Sequence, residues 1–172
     1  METLSQILVA DFRDQAVLRI SESLEKIQGC LVELDEEAFW CEPNKNSNSP
    51  ATLLRHLQGN IGQYITSGLG GAEDQRDREA EFTGKDLRNR KDVEADFFEV
   101  ARKAADLIRT VPETALIQRK RVQGFELSGL GIILHVVEHL SYHTGQLVYL
   151  TKHLRDIDLG FYKGYDLNQK NE

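Results

Sequence analysis

Two cysteines, three prolines and no cluster of positive charge are all that this chain of 172 residues offers of three common architectures. Cys30 and Cys41 form no C-x-x-C pair, one lying in a helical pattern and the other beside a loop, so a disulfide framework is excluded and both read as reduced thiols. Cys30 reads as a small buried apolar residue rather than a reactive one. No proline-rich linker, internal repeat or low-complexity tract divides the sequence, which predicts a single domain over 1–172. Its 21 basic residues are scattered among 28 acidic ones, for a formal charge of -7, so nucleic acid is excluded as a partner. The segment Met1 to Asp14 has no basic leader and no apolar run longer than Ile7 to Ala10. That is too short for a signal-peptide core or a membrane span, and the expectation is a cytoplasmic protein without a membrane partner.

A chain of this length buries a substantial core without disulfides or a structural metal, so a metal here needs a functional reason. The core is predicted to be helical. Leu8, Phe12, Ala16, Ile20, Leu24, Ile27, Leu31 and Leu34 follow the three-and-four rhythm of one helix face. A turn-rich stretch, 41–49, ends in Ser49 followed by Pro50, an N-cap and first-turn pair that opens a second helix. That helix carries Leu53, Leu57, Ile61, Tyr64 and Ile65 on one side and stops at the glycines near 68–71. Residues 70–90 are charged and weakly periodic, and read as a long connection of the kind that often serves function.

A third helix is expected from about Asp92, as N-cap, through Phe97, Val100, Ala101, Ala104, Leu107 and Ile108 to just before Pro112. Lys120 to Leu127 is treated as loop. A fourth helix from Ser128 to Leu154 would be about 40 Å long, apolar on nearly every side of its first half, and is expected to be the most buried. The fold class is therefore all-α, with four long helices around one core.

The fourth helix carries His135, His139 and His143, each four residues after the last. A step of four turns the side chain by only about 40°, so neighbours project from one face a turn apart and two imidazoles reach one ion. Ile132, Val136, Leu147 and Leu150 share that stripe, making it core-facing. On the second helix His56 lies between Leu53, Leu57 and Asn60, so a third imidazole points into the same interior. A lone histidine on an apolar face is ordinarily a hydrogen-bonded core residue, and His153 reads as a surface or capping group. Three or four inward histidines out of five, in a domain that needs no metal to fold, favour a metal site.

Two look-alikes fail. His135-Val-Val-Glu-His139 matches the inverted zinc-protease signature, but the third, acidic ligand that chemistry needs is missing, since only Asp156, Asp158, Asp166 and Glu172 follow. A di-iron carboxylate site needs paired Glu-x-x-His motifs, and none occurs.

Three segments, Leu54-Arg-His-Leu-Gln-Gly-Asn60, Arg76-Asp-Arg-Glu-Ala-Glu-Phe82 and Val137-Glu-His-Leu-Ser-Tyr-His-Thr-Gly-Gln146, together resemble the DinB-like superfamily of metalloenzymes, which includes transferases of low-molecular-weight thiols. The last segment is the most specific, and the middle one is similar to an uncharacterised branch. The resemblance implies a four-helix bundle, a mirror variant of the up-and-down topology with a long connection between helices two and three, often as a homodimer. It also implies a metal triad of His56, His139 and His143, with His135 as an extra imidazole one turn up.

Three neutral imidazoles leave an ion positively charged and with open positions, able to lower the pKa of a bound water or thiol. The expected cofactor is a divalent metal, zinc or nickel foremost, and the expected partner a small-molecule substrate such as a low-molecular-weight thiol. A thiol transferase is the leading function, with a hydrolase next and a non-catalytic metal- or ligand-binding bundle for sensing or assembly as the alternative. Asn60, Gln146 and Tyr142 lie near the site, each with a plain packing or capping explanation. Arg76 and Arg78 are candidate anchors for an anionic substrate, unless they pair with Asp74, Asp77, Glu79 or Glu81. Glu138 is turned about 100° from His139, so no general base stands out.

Overall fold

The computed structural model describes residues 3–83 and 88–171. Helix α1, Leu4–Glu33, starts in a capping box in which the Thr3 side chain accepts from the Gln6 backbone and the Gln6 side chain accepts from the Thr3 N–H. A short α2, Glu36–Trp40, follows, and α3, Pro50–Ile61, begins at Ser49 as expected. It continues without a break into a π-helical segment, Gly62–Leu69. Helix α4 is Arg90–Thr110, α5 is Glu113–Ile117, and a hairpin of β1, Arg119–Val122, and β2, Phe125–Ser128, leads into α6, Gly129–Arg155.

The structure is mostly helical, as the all-α reading holds. The long segments pack in a ring in which α1 and α3 each lie against both α4 and α6. Each presents one stripe to the common core: Val17, Ile20, Ile27 and Leu31 from α1, Leu53, Leu57 and Ile61 from α3, Val93, Phe97, Ala101 and Ile108 from α4, and Ile132, Val136, Leu140 and Leu147 from α6. Among the described residues no helix is long and apolar enough to cross a membrane.

Four expectations need correction. Lys120 to Leu127 is not loop: it forms most of an antiparallel hairpin with Arg119 opposite Ser128 and Val122 opposite Phe125. Gln123 and Gly124, both at positive φ (50° and 87°), make its two-residue turn. Helix α4 is capped by Asn89, whose side chain accepts from Asp92 N at 3.0 Å, so Asp92 lies inside the first turn. Leu8 is 59% exposed, and the buried stripe of α1 begins only at Ala16.

The most buried helix is α3, with ten of its 12 residues buried, whereas α6 buries ten of 27. The reason is coverage. Helix α3 is flanked by α4 and α6, touched by α2, and overlaid by the 70–83 connection through an Arg55 hydrogen bond to the Ala80 carbonyl. Helix α6 leaves Leu134, Glu138, Tyr142 and Tyr149 in solvent.

One contact ties the ring at its end. Helix α1 has no basic residue in its last turn, and Arg90 of α4 supplies one, donating to the Leu31 and Leu34 carbonyls at 2.6 and 2.7 Å. The same guanidinium lies 4.9 Å from the centre of the Phe39 ring.

Candidate metal centre

Histidine 56 belongs to the stripe that α3 turns toward α6, and His139 and His143 belong to the stripe α6 turns back. The helices therefore bring the three rings together between them. One ligand nitrogen from each lies within 4.8 Å of the other two, and the Nε2 atoms of His56 and His139 are 2.9 Å apart. His56 and His143 are buried, while His139 is partly open to solvent.

Hydrogen bonds on the far side of two rings fix which nitrogen carries the proton. Glu81 Oε2 lies 2.9 Å from His56 Nδ1, and Gln146 Oε1 lies 2.7 Å from His143 Nδ1. Both oxygens are acceptors, so both Nδ1 atoms are the donors and both Nε2 atoms keep a free lone pair. The Nε2 atoms of His56 and His139 lie at hydrogen-bond distance, 2.9 Å. A tetrahedral ion with bonds of about 2.0–2.1 Å would set neighbouring nitrogens about 3.3 Å apart. The three ring nitrogens, one pair at 2.9 Å and all within 4.8 Å of one another, bracket that spacing, so the residues fit a divalent metal.

Electrostatics favour the same state. Burial, followed by the neighbouring His143, His56, His135 and Arg76, lowers the pKa of His139 to about 3. Burial likewise lowers His143, opposed by its hydrogen bond to Gln146, and burial lowers His135. His139 is thus neutral across the physiological range, and burial holds His135 and His143 toward the same form, the one that ligates.

Behind His56 stands a charged support. Arg76, whose side chain is 3% exposed, donates to Glu81 through Nε at 2.7 Å and Nη2 at 3.0 Å, and through Nη1 to Gln63 at 2.9 Å. Burial alone would raise the Glu81 carboxyl, but hydrogen bonds from His56 and Arg76 and the charge of Arg76 hold it below its ordinary value. Gly59 makes room for it. A Cβ there would lie 2.0 Å from Glu81 Oε1, so only glycine lets the carboxylate lie against α3 beside His56. Phe82 packs its ring 5.1 Å from that of His56, and Arg78 sits over Phe82.

Residues 8–161 match the model of a family described as "Protein of unknown function (DUF1572)". The chain belongs to that family. The match takes in α1 from Leu8 onward, the other three long helical segments and every residue of the centre. No curated protein and no solved structure matches this DUF1572 chain.

Among the described residues His56, His139 and His143, the three expected as ligands, are brought together, and the surrounding groups sort as follows. Glu138 is exposed and His153 lies on the surface against Tyr149, as expected. Gln146, although exposed, orients His143 rather than merely packing. Arg76 is committed to Glu81 and is not free for an anionic substrate. Tyr142 is exposed, with its ring edge-on to His143 at 4.9 Å. Both cysteines are free, and burial pushes the Cys30 thiol up, away from reactivity. From the sequence Glu81 reads only as one of four possible partners for Arg76 and Arg78, not as the acceptor behind His56, and the glycine inside a helical pattern at position 59 is a signal of that close approach.

Proposed function

We propose that this DUF1572 protein is a DinB-like enzyme that holds one divalent metal, zinc or nickel, on His56, His139 and His143 and transfers a small thiol to an electrophilic small molecule. The observation that carries the reading is the support of the triad. Two of the three imidazoles are locked by acceptors that leave their Nε2 lone pairs facing the other ring nitrogens. A histidine cluster that served only packing would have no use for a buried carboxylate and guanidinium behind one ring, which are costly to desolvate.

When bound, the metal supplies the positive charge that keeps a thiol ionised near neutral pH. The thiol sulfur forms a bond to the electrophilic carbon as that carbon's leaving group departs with its electron pair, and the thiol proton passes to solvent. His139, partly exposed, is the ligand that a substrate arriving from solvent would meet first. Glu81 is spoken for on the Nδ1 side of His56, and the histidines are the only metal-ligating group of three among the described residues. A metal held by these three rings alone would keep open ligand positions, which favours catalysis over a saturated sensing or structural site.

The test is elemental analysis of protein purified without a metal-affinity tag, followed by a panel of thiols with a chromogenic electrophile. Stoichiometric metal, and thiol consumption abolished by chelation and in His139→Ala, is the expected result. Protein with only trace metal after growth in metal-replete medium would sink the reading. Light scattering in the same preparation checks the accompanying expectation of a homodimer.

A further inference from the structure

One helical turn from the metal ligands, α3 and α6 repeat their pairing with different chemistry. Asn60 is four residues after His56 and His135 four before His139, and the Asn60 amide donates from Nδ2 to His135 Nε2 at 3.4 Å. The other end of that amide, Oδ1, is buried without a partner among the described residues, in a residue only 3% exposed. A buried acceptor left unpaired is costly, and native proteins keep few of them.

The surroundings hold this amide in place. His135 is stacked on Tyr64, with ring centres 4.1 Å apart, and Tyr64 donates to Gln123 at 3.0 Å. His135 is also nearly parallel to His139, at 5.5 Å and 16°, so the two pairs form adjacent layers of one site. Tyr64 comes from the π-helical segment that starts two residues after Asn60. Such segments are rare and concentrate at functional sites.

We propose that Asn60, walled by His135 and Tyr64, recognises a hydrogen-bond donor, an amide N–H or ammonium, carried on the thiol substrate about three bonds from its sulfur. The inference rests on the thiol reading above and narrows it: simple alkyl thiols are poor substrates, and aminothiols or N-acyl aminothiols are good ones. The vacant Asn60 oxygen receives the donor, while the sulfur meets the metal in the neighbouring layer.

The test uses the full chain loaded with cobalt, whose absorption reports sulfur ligation, titrated with N-acetylcysteamine and with its ester analogue, 2-mercaptoethyl acetate. The two differ only in N–H against O. The amide is expected to bind about tenfold tighter. In Asn60→Leu, with cobalt stoichiometry unchanged, the preference should shrink to within about twofold, while in Asn60→Asp the charged acceptor should widen it.

An equal preference in wild type and Asn60→Leu, or tighter binding of the ester, overturns the assignment. If Asn60→Leu does not fold, Asn60→Asp decides, and a preference no larger than the wild type's overturns it. Absence of the sulfur band with both thiols at full cobalt occupancy instead sinks the thiol reading and this inference with it, an outcome distinct from the loss of discrimination alone.

Discussion

Replacing Glu81 by glutamine removes one charge and almost no volume, which isolates what the carboxylate does for the metal centre. In the native protein it accepts from His56 Nδ1 at 2.9 Å and from two nitrogens of a buried Arg76. Loss of such a support behind a ligating histidine typically costs about 10–100-fold in metal affinity, or about 1.4–2.7 kcal/mol. Stability suffers separately. Arg76 would keep its charge, 3% exposed, with only neutral acceptors, and breaking a buried pair on one side costs about 3–5 kcal/mol.

The two effects separate in the double variant Arg76→Met/Glu81→Gln, which no longer buries an unpaired charge. Urea denaturation of the metal-free proteins should show the single variant strongly destabilised and the double variant largely restored. Competition for zinc against a chromophoric chelator should show both variants weakened alike, because both lack the carboxylate on His56. A single variant with zinc affinity within twofold of wild type would refute the reasoning, since Glu81 would then be a structural ion pair that happens to touch a histidine.

Three further perturbations follow from the same geometry. Gly59→Ala sets a Cβ 2.0 Å from Glu81 Oε1 and must displace the carboxylate, so zinc affinity should fall about tenfold although alanine is the better helix former; chelator competition reads it. Arg90→Ala leaves the Leu31 and Leu34 carbonyls without their donor and should cost about 2 kcal/mol in thermal or urea unfolding, with metal binding unchanged. His139 has a pKa near 3 in the folded chain against 6.5 in the unfolded one, so between these values the unfolded state binds more protons. The stability His139 contributes by staying neutral is thus complete above pH 6.5 and lost as pH falls toward 3, and the urea midpoint of metal-free His139→Leu should vary less over that window than the wild type's.

The parts of this molecule that were legible in the sequence are those whose signal is local. Four-residue spacing on α6 places His139 and His143 together whatever surrounds them, and the serine and proline at 49 and 50 open α3 by backbone chemistry alone. The apolar stripes of α1, α3, α4 and α6 are equally local, apart from the exposed start of α1. The hairpin was hidden because its turn is Gln123-Gly124 rather than Asn-Gly or Asp-Gly, and its residues alternate too weakly to declare a buried face. The relative burial of α3 and α6 depends on which helix the 70–83 connection covers, and composition does not record that. Glu81 lay in a charged run without periodicity, 25 residues from the ring it supports, where only tertiary structure distinguishes it from Glu79.

That connection also explains how a bundle core tolerates so much polarity. Buried Arg55, His56, Asn60 and His143 all lie on α3 or α6, while the buried stripes of α1 and α4 are apolar apart from Ser23. The ring therefore divides into an apolar half and a half that carries the buried polar groups, to which the 76–83 segment adds the carboxylate of Glu81 and the guanidinium of Arg76. A domain built this way does not depend on a metal for folding. Chelation should accordingly leave the helical circular dichroism at 25 °C unchanged while raising hydrogen-exchange rates around His56 and His139, and collapse of the helical signal on chelation would mean that the apolar half is too small to hold the fold alone.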